Sequence, residues 1–393
     1  MLNFKNVLVL AAAALFVLPG CKKNNDDQQQ DAAPVHILLT SDAHYGITRP
    51  AFRGGATVDA HTTNAAMIAS MNTLPGVTIP SDGAAEAGQK INYVDYMIQT
   101  GDVANRMETS AKVQLASTSW DQFNADYIQG LTVKGQDGAK ANIYVVPGNH
   151  DVSNTIGYYA AMSPLTDATS LANLYNRAFS PSVPKTATSL NYTTDRVNYS
   201  RDIAGVHFCF MQMWPDSTVR IWLNNDLQKV TSTTPVVLVC HDQPAVVANH
   251  FTNPNGTHTI NNTDKFDNVL DEVYKDAKVS TGATAVTNIE QRAMVAFLKQ
   301  HTNIKAWLHG HVHESRFYTY TGVDNDIQIQ AVSIDSPMKG LVSAADETKL
   351  CYDFATLDPK KFTLTVRECF WNNDPTNTSA AIKWGLPYTI NLK

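Results

Sequence analysis

The sequence predicts an α/β fold whose last part is rich in β-strands. Five apolar runs with strand character alternate with segments in which apolar residues recur every three or four positions, as in helices that pack on a sheet. After His313 the pattern changes to strand-like segments alone. Because no internal repeat and no second linker interrupts this order, we expect a single folded domain.

Each of the five predicted strands ends in Asp or His. The runs are VHILLTSDAH, INYVDYMIQTGD, ANIYVVPGNHD, TPVVLVCHD and NIKAWLHGHVH. The residues that usually follow strands are Gly, Asn, Ser and Pro, so this repeated choice needs another explanation. Open α/β sheets hold their reactive groups at the carboxyl ends of strands, and the pattern therefore indicates one shared site.

Four segments between the strands predict helices from the spacing of their apolar residues: 62–74, 111–129, 221–230 and 288–301. Three longer insertions, at 45–90, 152–195 and 245–287, follow strand ends. Loops at strand ends tolerate change while the scaffold stays fixed, so we expect these insertions to set specificity.

Composition limits the possible functions. The chain has 393 residues, of which 44% are hydrophobic and 17% charged, enough for a sizeable core. Its formal net charge is -6, and its Lys and Arg residues are scattered. We therefore expect no binding to duplex nucleic acid, whereas a single phosphate group remains a possible substrate.

The N-terminus predicts export. Lys5 precedes an apolar run at 7–18, which is short for a membrane span and typical of a signal peptide, assigned to 1–20. The tetrapeptide LPGC resembles a bacterial lipobox, in which Cys21 becomes the lipidated first residue of the mature protein. The alternative is ordinary signal cleavage with an incidental cysteine.

The polar segment 21–33 cannot bury apolar surface and predicts a tether, with the folded domain at 34–393. We thus expect an exported protein that is lipid-anchored at a bacterial membrane, facing the periplasm or the cell surface. Such compartments permit disulfides. Cys209 and Cys240 lie in apolar runs and predict core residues, whereas Cys351 and Cys369 flank a turn closely enough for a possible bridge.

The residues at the strand ends are of types that commonly bind metal ions. Asp, Asn and His supply oxygen and imidazole nitrogen, which suit zinc, manganese or iron, and none of these strand-end residues is Cys. Asp42 and His44 are two positions apart, so in an extended segment their side chains would project to the same side. His311 and His313 repeat this spacing.

The motifs SDAHYG, GDVANR, GNHD, CHDQP and GHVH, read in this order from Asp42 to His313, resemble the calcineurin-like metallophosphoesterase superfamily. The resemblance implies an α/β, four-layer sandwich of two mixed β-sheets flanked by helices, with metals at the sheet edges. It also implies that terminal strands within 316–392 complete the second sheet.

The resemblance assigns a role to each motif residue. Two divalent or trivalent metal ions, Mn, Zn or Fe, would be bound by seven ligands: Asp42, His44 and His313 on the first, Asn149, His241 and His311 on the second, and Asp102 on both. A hydroxide bridging the metals would attack phosphorus. His150 would assist the leaving group from its place in the catalytic turn, with Asp151 beside it.

GDVANR departs from the pattern of the superfamily's protein serine/threonine phosphatases, which have Asp where this chain has Asn105. Asn105 could orient His150 but cannot raise its pKa through a negative charge. Protein phosphatase activity is therefore not expected. Arg106 is a candidate for binding substrate phosphate, with a surface ion pair as the alternative.

The resemblance implies a metal-dependent phosphoesterase that hydrolyses phosphate mono- or diesters outside the cytoplasm, with a substrate that is a small phosphate ester. One alternative is a cyclic-nucleotide or other specific phosphodiesterase, which differs only in the pocket. Another is a lipoprotein that binds metal or phosphate without turnover.

Overall fold

Two mixed β-sheets form the centre of the protein in a computed structural model that describes residues 33–105, 114–152, 168–191, 194–245 and 288–393. The predicted signal peptide and nearly all of the tether lie outside the described residues, as does Arg106. Within the described ranges, no helix combines the length and the apolar character needed to cross a bilayer.

The first sheet contains seven strands: β1 (Val35–Thr40), β4 (Tyr96–Gln99), β5 (Asn142–Val145), β12 (Cys351–Asp358), β13 (Thr363–Phe370), β14 (Lys383–Trp384) and β15 (Tyr388–Asn391). Their order is β14-β13-β12-β1-β4-β5, and β15 pairs with β13. Because β1, β4 and β5 are parallel, their carboxyl ends lie at one edge.

The second sheet contains six strands: β6 (Tyr199–Ile203), β7 (Val206–Phe210), β8 (Val236–Val239), β9 (Ile304–His309), β10 (Arg316–Tyr320) and β11 (Ile329–Ser333). Their order is β10-β11-β9-β8-β7-β6. The strands β7, β8, β9 and β11 are parallel, so their carboxyl ends also share an edge. A separate hairpin joins β2 (Thr48–Phe52) and β3 (Gly55–Asp59).

The terminal strands are divided between the sheets, so the expectation that they all complete the second sheet is wrong. Only β10 and β11 join it, whereas β12 pairs antiparallel with β1 and carries β13, β14 and β15 into the first sheet. The reason is that β1 is buried along its whole length and takes a neighbour on both sides.

In the described part of the chain six α-helices accompany the sheets: α1 (Ala60–Met71), α2 (Ala116–Phe123), α3 (Asn149–Val152), α4 (Thr169–Phe179), α5 (Ser217–Leu227) and α6 (Asn288–Gln300). A π-helical segment, Asn124–Gln129, continues α2. All four predicted helices are present, whereas α3 and α4 were not predicted. Asp59 and Asp216 fix where α1 and α5 begin, since each carboxylate caps a backbone N–H of the first turn.

The two sheets face each other and the helices lie outside them. At one end the Tyr199 hydroxyl of β6 donates to the Val145 carbonyl of β5 over 2.9 Å, and at the other end Phe317 stacks on Tyr388 with ring centroids 5.1 Å apart. Outside the sheets, Asp226 of α5 bonds His207 of β7 at 2.9 Å. The predicted α/β fold of two mixed sheets flanked by helices is confirmed.

All four described cysteines are free and buried, so the possible bridge between Cys351 and Cys369 is not formed. In the β12–β13 register Cys351 pairs with Phe370 and Cys369 with Tyr352. The cysteines are therefore one position out of register, and their side chains project to opposite faces of the sheet. Cys209 and Cys240 are fully buried core residues, as predicted.

Asp353 is a buried acid whose replacement should change how stability depends on pH. Its side chain lies opposite Glu368 and is 1% exposed. Among the described residues neither of its carboxylate oxygens has a hydrogen-bond partner, and burial raises the pKa of Asp353 well above the usual value. In the unfolded chain the group ionises near pH ~4, so stability should fall as pH rises above that value, by up to ~1.4 kcal/mol per pH unit.

We expect Asp353→Asn to remove this decline. Denaturant unfolding of both proteins at several pH values between about 4 and 7 measures it, with the exposed Asp121→Asn as control. Parallel stability curves for wild type and Asp353→Asn would contradict the prediction.

Candidate metal centre

The seven side chains that the sequence predicts as metal ligands meet where the carboxyl edges of the two sheets adjoin. Asp42 and His44 follow β1, and Asp102 follows β4. The remaining ligands follow β5, β8 and β9: Asn149, His241, His311 and His313. The structure brings together residues that are up to 271 positions apart in the chain, from Asp42 to His313.

A first cluster consists of Asp42, His44, Asp102 and His313, whose ligand atoms all lie within 4.8 Å of one another. His313 Nε2 is 3.1 Å from both His44 Nε2 and Asp42 Oδ1. His44 Nε2 is 3.4 Å from Asp42 Oδ1. These atoms could surround one metal ion.

A second cluster forms around Asn149. Its Oδ1 atom is 3.0 Å from His241 Nε2 and 3.0 Å from His311 Nδ1. His241 Nδ1 donates to the Thr100 carbonyl over 2.8 Å, which directs Nε2 toward the cluster. Asp242 places a carboxylate oxygen within 4.8 Å of both histidines, a neighbour that the motif alone does not assign.

Asp102 links the two clusters. Its Oδ2 atom is 3.3 Å from His241 Nε2 and 3.7 Å from His44 Nε2. Its Oδ1 atom accepts a hydrogen bond of 2.8 Å from the backbone N–H of His150. One oxygen therefore fixes the turn after β5, and the other is shared by both clusters.

Five of the seven ligands have left-handed backbone conformations, so the expectation of extended segments is wrong. The φ angles are 53° at Asp42, 46° at His44, 56° at Asp102, 69° at His311 and 53° at His313. Such a conformation costs a non-glycine residue ~1 kcal/mol or more, and it is found where a site holds its groups in place. With this backbone, Asp42 and His44 meet in the first cluster, whereas His313 joins them there and His311 lies in the second cluster.

Two glycines permit the close approach of the strand ends. A Cβ atom on Gly148 would overlap the carboxylate and backbone nitrogen of Asp102. A Cβ atom on Gly310 would overlap the Ser41 hydroxyl and meet the carboxylate of Asp42. The motifs GNHD and GHVH therefore need their glycines for space beside the ligands.

His150 lies beside the centre but bonds to it only through its backbone. Its ring Nδ1 donates to the Asn105 carbonyl over 2.8 Å, and its Nε2 is 3.8 Å from Asp102 Oδ2. Asn105 thus orients His150 through its main chain rather than its side chain, whose Oδ1 is buried without a hydrogen-bond partner. Any residue type at this position would supply the same carbonyl.

Asp151 holds two motif turns together. Its carboxylate accepts hydrogen bonds from the backbone N–H groups of Val103 and Ala104, at 3.1 Å each, and of Gly148, at 3.0 Å. These bonds use both oxygens on the main chain. The carboxylate therefore positions the GD and GNHD turns instead of facing the reacting groups, in contrast to the catalytic grouping drawn from the sequence.

Lys339 is a residue near the centre that the sequence did not single out. Its positive charge lowers the pKa values of His44 and His150, both already lowered by burial, and the charges of Asp42 and Asp102 act in turn on Lys339. The signal was present in the run IQIQAVSID, which ends in Asp335 as the other five strands end in Asp or His. Its strand, β11, is parallel to β9 and ends at the same edge.

The residues fit two metal ions. Asp42 Oδ1 is buried and has no hydrogen-bond partner among the described residues, and it faces Nε2 atoms of His313, His44 and His241 at 3.1, 3.4 and 4.0 Å. Burial opposes protonation of His241, yet Asp102 and Asp42 raise its pKa to about 10. The negative electrostatic field of these two carboxylates attracts cations. Oxygen and nitrogen donors without sulfur suit zinc, manganese and iron.

Comparison with known proteins identifies one family. The sequence profile described as calcineurin-like phosphoesterase matches residues 35–315, a range that contains every predicted ligand. No curated protein sequence matches the chain significantly. A solved structure of a dimetal phosphatase from Danio rerio is 11% identical, with a TM-score of 0.48, and the alignment covers 92% of this chain and 100% of that one.

Two further solved structures are similar. Phosphopantetheinyl hydrolase from Mycobacterium tuberculosis is 14% identical with a TM-score of 0.32, and the alignment covers 78% of this chain and 91% of that chain. Vps29 from Entamoeba histolytica, complexed with zinc, is 9% identical with a TM-score of 0.32, and coverage is 91% of this chain and 100% of that chain.

Replacing Asp102 by Asn should weaken metal binding. The change removes the negative charge shared by the two clusters while keeping the shape of the side chain, so at least one metal ion should be lost. Elemental analysis of the purified proteins after equilibration with manganese or zinc measures the metal content. Asp121→Asn, an exposed change elsewhere, serves as control. Retention of the full wild-type metal content by Asp102→Asn would refute the shared-ligand assignment.

Proposed function

Because the chain belongs to the calcineurin-like phosphoesterase family, we propose that it hydrolyses phosphate mono- or diesters at the two linked clusters of its sheet edge. The observation that carries the proposal is the position of Asp102 Oδ2, which lies 3.3 Å from His241 Nε2 in the second cluster and 3.7 Å from His44 Nε2 in the first. A carboxylate shared in this way is the arrangement that holds two cations close together.

Asp42, His44 and His313 would hold the first metal ion, Asn149, His241 and His311 the second, and Asp102 both. When bound, two such ions supply Lewis acidity that neutralises phosphoryl oxygens and activates water for in-line attack. The protein contributes the fixed geometry of the ligands, whose strained backbone is held by the sheets.

His150 would serve the leaving group. Its Nδ1 proton is committed to the Asn105 carbonyl, so only Nε2 can exchange a proton with substrate. Burial lowers the pKa of His150, while the charge of Asp102 raises it. A bound phosphate dianion adds negative charge nearby, so we propose that Nε2 takes up a proton with the substrate and gives it to the departing oxygen.

Turnover of two model esters tests the proposal. Hydrolysis of p-nitrophenyl phosphate and of bis-p-nitrophenyl phosphate, each with manganese, zinc or iron and with a chelator control, separates a monoesterase from a diesterase. A specific phosphodiesterase would prefer the second ester. Absence of turnover with every metal would contradict the proposal and favour a protein that binds metal or phosphate without catalysis.

We also propose that the protein is exported and anchored by lipid at Cys21. The support comes from the LPGC tetrapeptide after a short apolar run. Cys21→Ser should release the chain from the membrane or leave it unprocessed, because the polar residues that follow have no membrane affinity. Fractionation of expressing cells, with the mass of each form as the measure of cleavage, tests this, and equal membrane retention of both forms after cleavage would contradict the anchor.

His150→Ala should slow hydrolysis without removing metal. The loss of a general acid typically costs about 100-fold to 10,000-fold in rate. The deficit should grow as the pKa of the leaving alcohol rises, because an alkoxide needs a proton more than p-nitrophenolate does. Rates across a series of aryl and alkyl phosphates, with metal content measured in parallel, test this.

His301 is half-buried and precedes β9 at the end opposite to the ligands, so His301→Ala should hydrolyse these esters at the wild-type rate. A deficit in His150→Ala that is independent of the leaving group, or a loss of metal, would show that His150 has a structural role instead.

A further inference from the structure

The turn formed by residues 335–343, which we call the β11 turn, is bonded directly to the first ligand cluster. The Ser336 hydroxyl donates to the Asp42 carbonyl over 2.8 Å and accepts the N–H of Lys339 at 2.9 Å. The N–H of Leu341 donates to the His313 carbonyl over 2.6 Å. These bonds to the carbonyls of two ligands, Asp42 and His313, hold the turn beside the centre.

Lys339 presents a positive charge from this turn. It forms no ion pair with any residue in the part of the chain that the structure describes. Its backbone N–H bonds the same Ser336 hydroxyl that bonds the Asp42 carbonyl, which places the residue beside the first cluster. Burial lowers the pKa of Lys339, and the charges of Asp102 and Asp42 partly offset this effect. A half-buried cation without a close partner, next to a metal centre, is placed to receive an anion.

The same turn exposes large apolar side chains at the edge of the centre. Leu341 is 67% exposed and Val342 is 55% exposed. Val312, which lies between His311 and His313, is 37% exposed. Single exposed apolar residues are ordinary, but a group of them beside a buried polar site indicates a binding surface.

Resting on the proposed function, we infer that the β11 turn selects the substrate: Lys339 binds the phosphate group, and Leu341 and Val342 contact an apolar alcohol group. The expected substrates are phosphate monoesters of aryl or alkyl alcohols. A monoester dianion interacts with a fixed cation about twice as strongly as a diester monoanion. None of the three insertions expected to set specificity contains this turn.

Removal of the charge tests the first half of the inference. Lys339→Gln should weaken binding of inorganic phosphate to the metal-loaded protein roughly 10-fold to 100-fold, with unchanged metal content, and Lys339→Arg should restore most of it. The kcat/KM for p-nitrophenyl phosphate should fall more than that for bis-p-nitrophenyl phosphate. Titration calorimetry, elemental analysis and kinetics measure these effects, with Lys360→Gln, in the turn after β12, as control.

A wild type that hydrolyses p-nitrophenyl phosphate beside a Lys339→Gln variant with unchanged phosphate affinity would overturn this inference alone. A wild type without any turnover would overturn the proposed function as well.

Removal of the apolar surface tests the second half. Leu341→Ser combined with Val342→Ser should raise KM for phenyl phosphate about 5-fold to 10-fold and leave KM for glycerol phosphate unchanged, because only the first ester has an apolar group to bind. Leu386→Ser, at an 85% exposed position between β14 and β15, is the matched control. Thermal unfolding confirms that each variant is folded. An equal change of KM for both esters would overturn the inference.

Discussion

The rest of the site depends on the buried carboxylate of Asp102, which interacts with both ligand clusters. It is 1% exposed, it anchors the turn after β5 through Oδ1, and it faces imidazoles of both clusters through Oδ2. A buried charge is costly unless opposite charge surrounds it, so this position demands cations. Together with Asp102, the histidines and the Asn149 amide form two sites that could each bind a cation.

The two sheets make this arrangement possible by presenting parallel strands with the same polarity at adjoining edges. The strands β1, β4 and β5 bring their ends from one side, and β8 and β9 bring theirs from the other. Left-handed residues after β1, β4 and β9, and Gly148 and Gly310 in the turns after β5 and β9, then allow the strand ends to approach one another. Strand β1 is fully buried and paired on both edges, and its stability offsets the free-energy cost of these strained turns.

The ligand residues could be predicted because their chemistry is visible in residue type and in position after apolar runs. Other features depend on long-range pairing or on single-residue register, which a local pattern does not contain. Because β12 pairs with β1, the strands β12 to β15 belong to the first sheet. In the β12–β13 register, Cys351 and Cys369 are one position out of alignment. The left-handed backbone of Asp42 and the position of Lys339 in the turn that bonds the Asp42 carbonyl likewise arise from the assembled sheets.

Anomalous diffraction from crystals of the protein grown with manganese would locate the metal ions. The shared role of Asp102 predicts two manganese peaks, about 3.5 to 4 Å apart, with Asp102 coordinating both. One would lie among Asp42, His44 and His313, and the other among Asn149, His241 and His311. A single peak, or two peaks of which only one contacts Asp102, would contradict it.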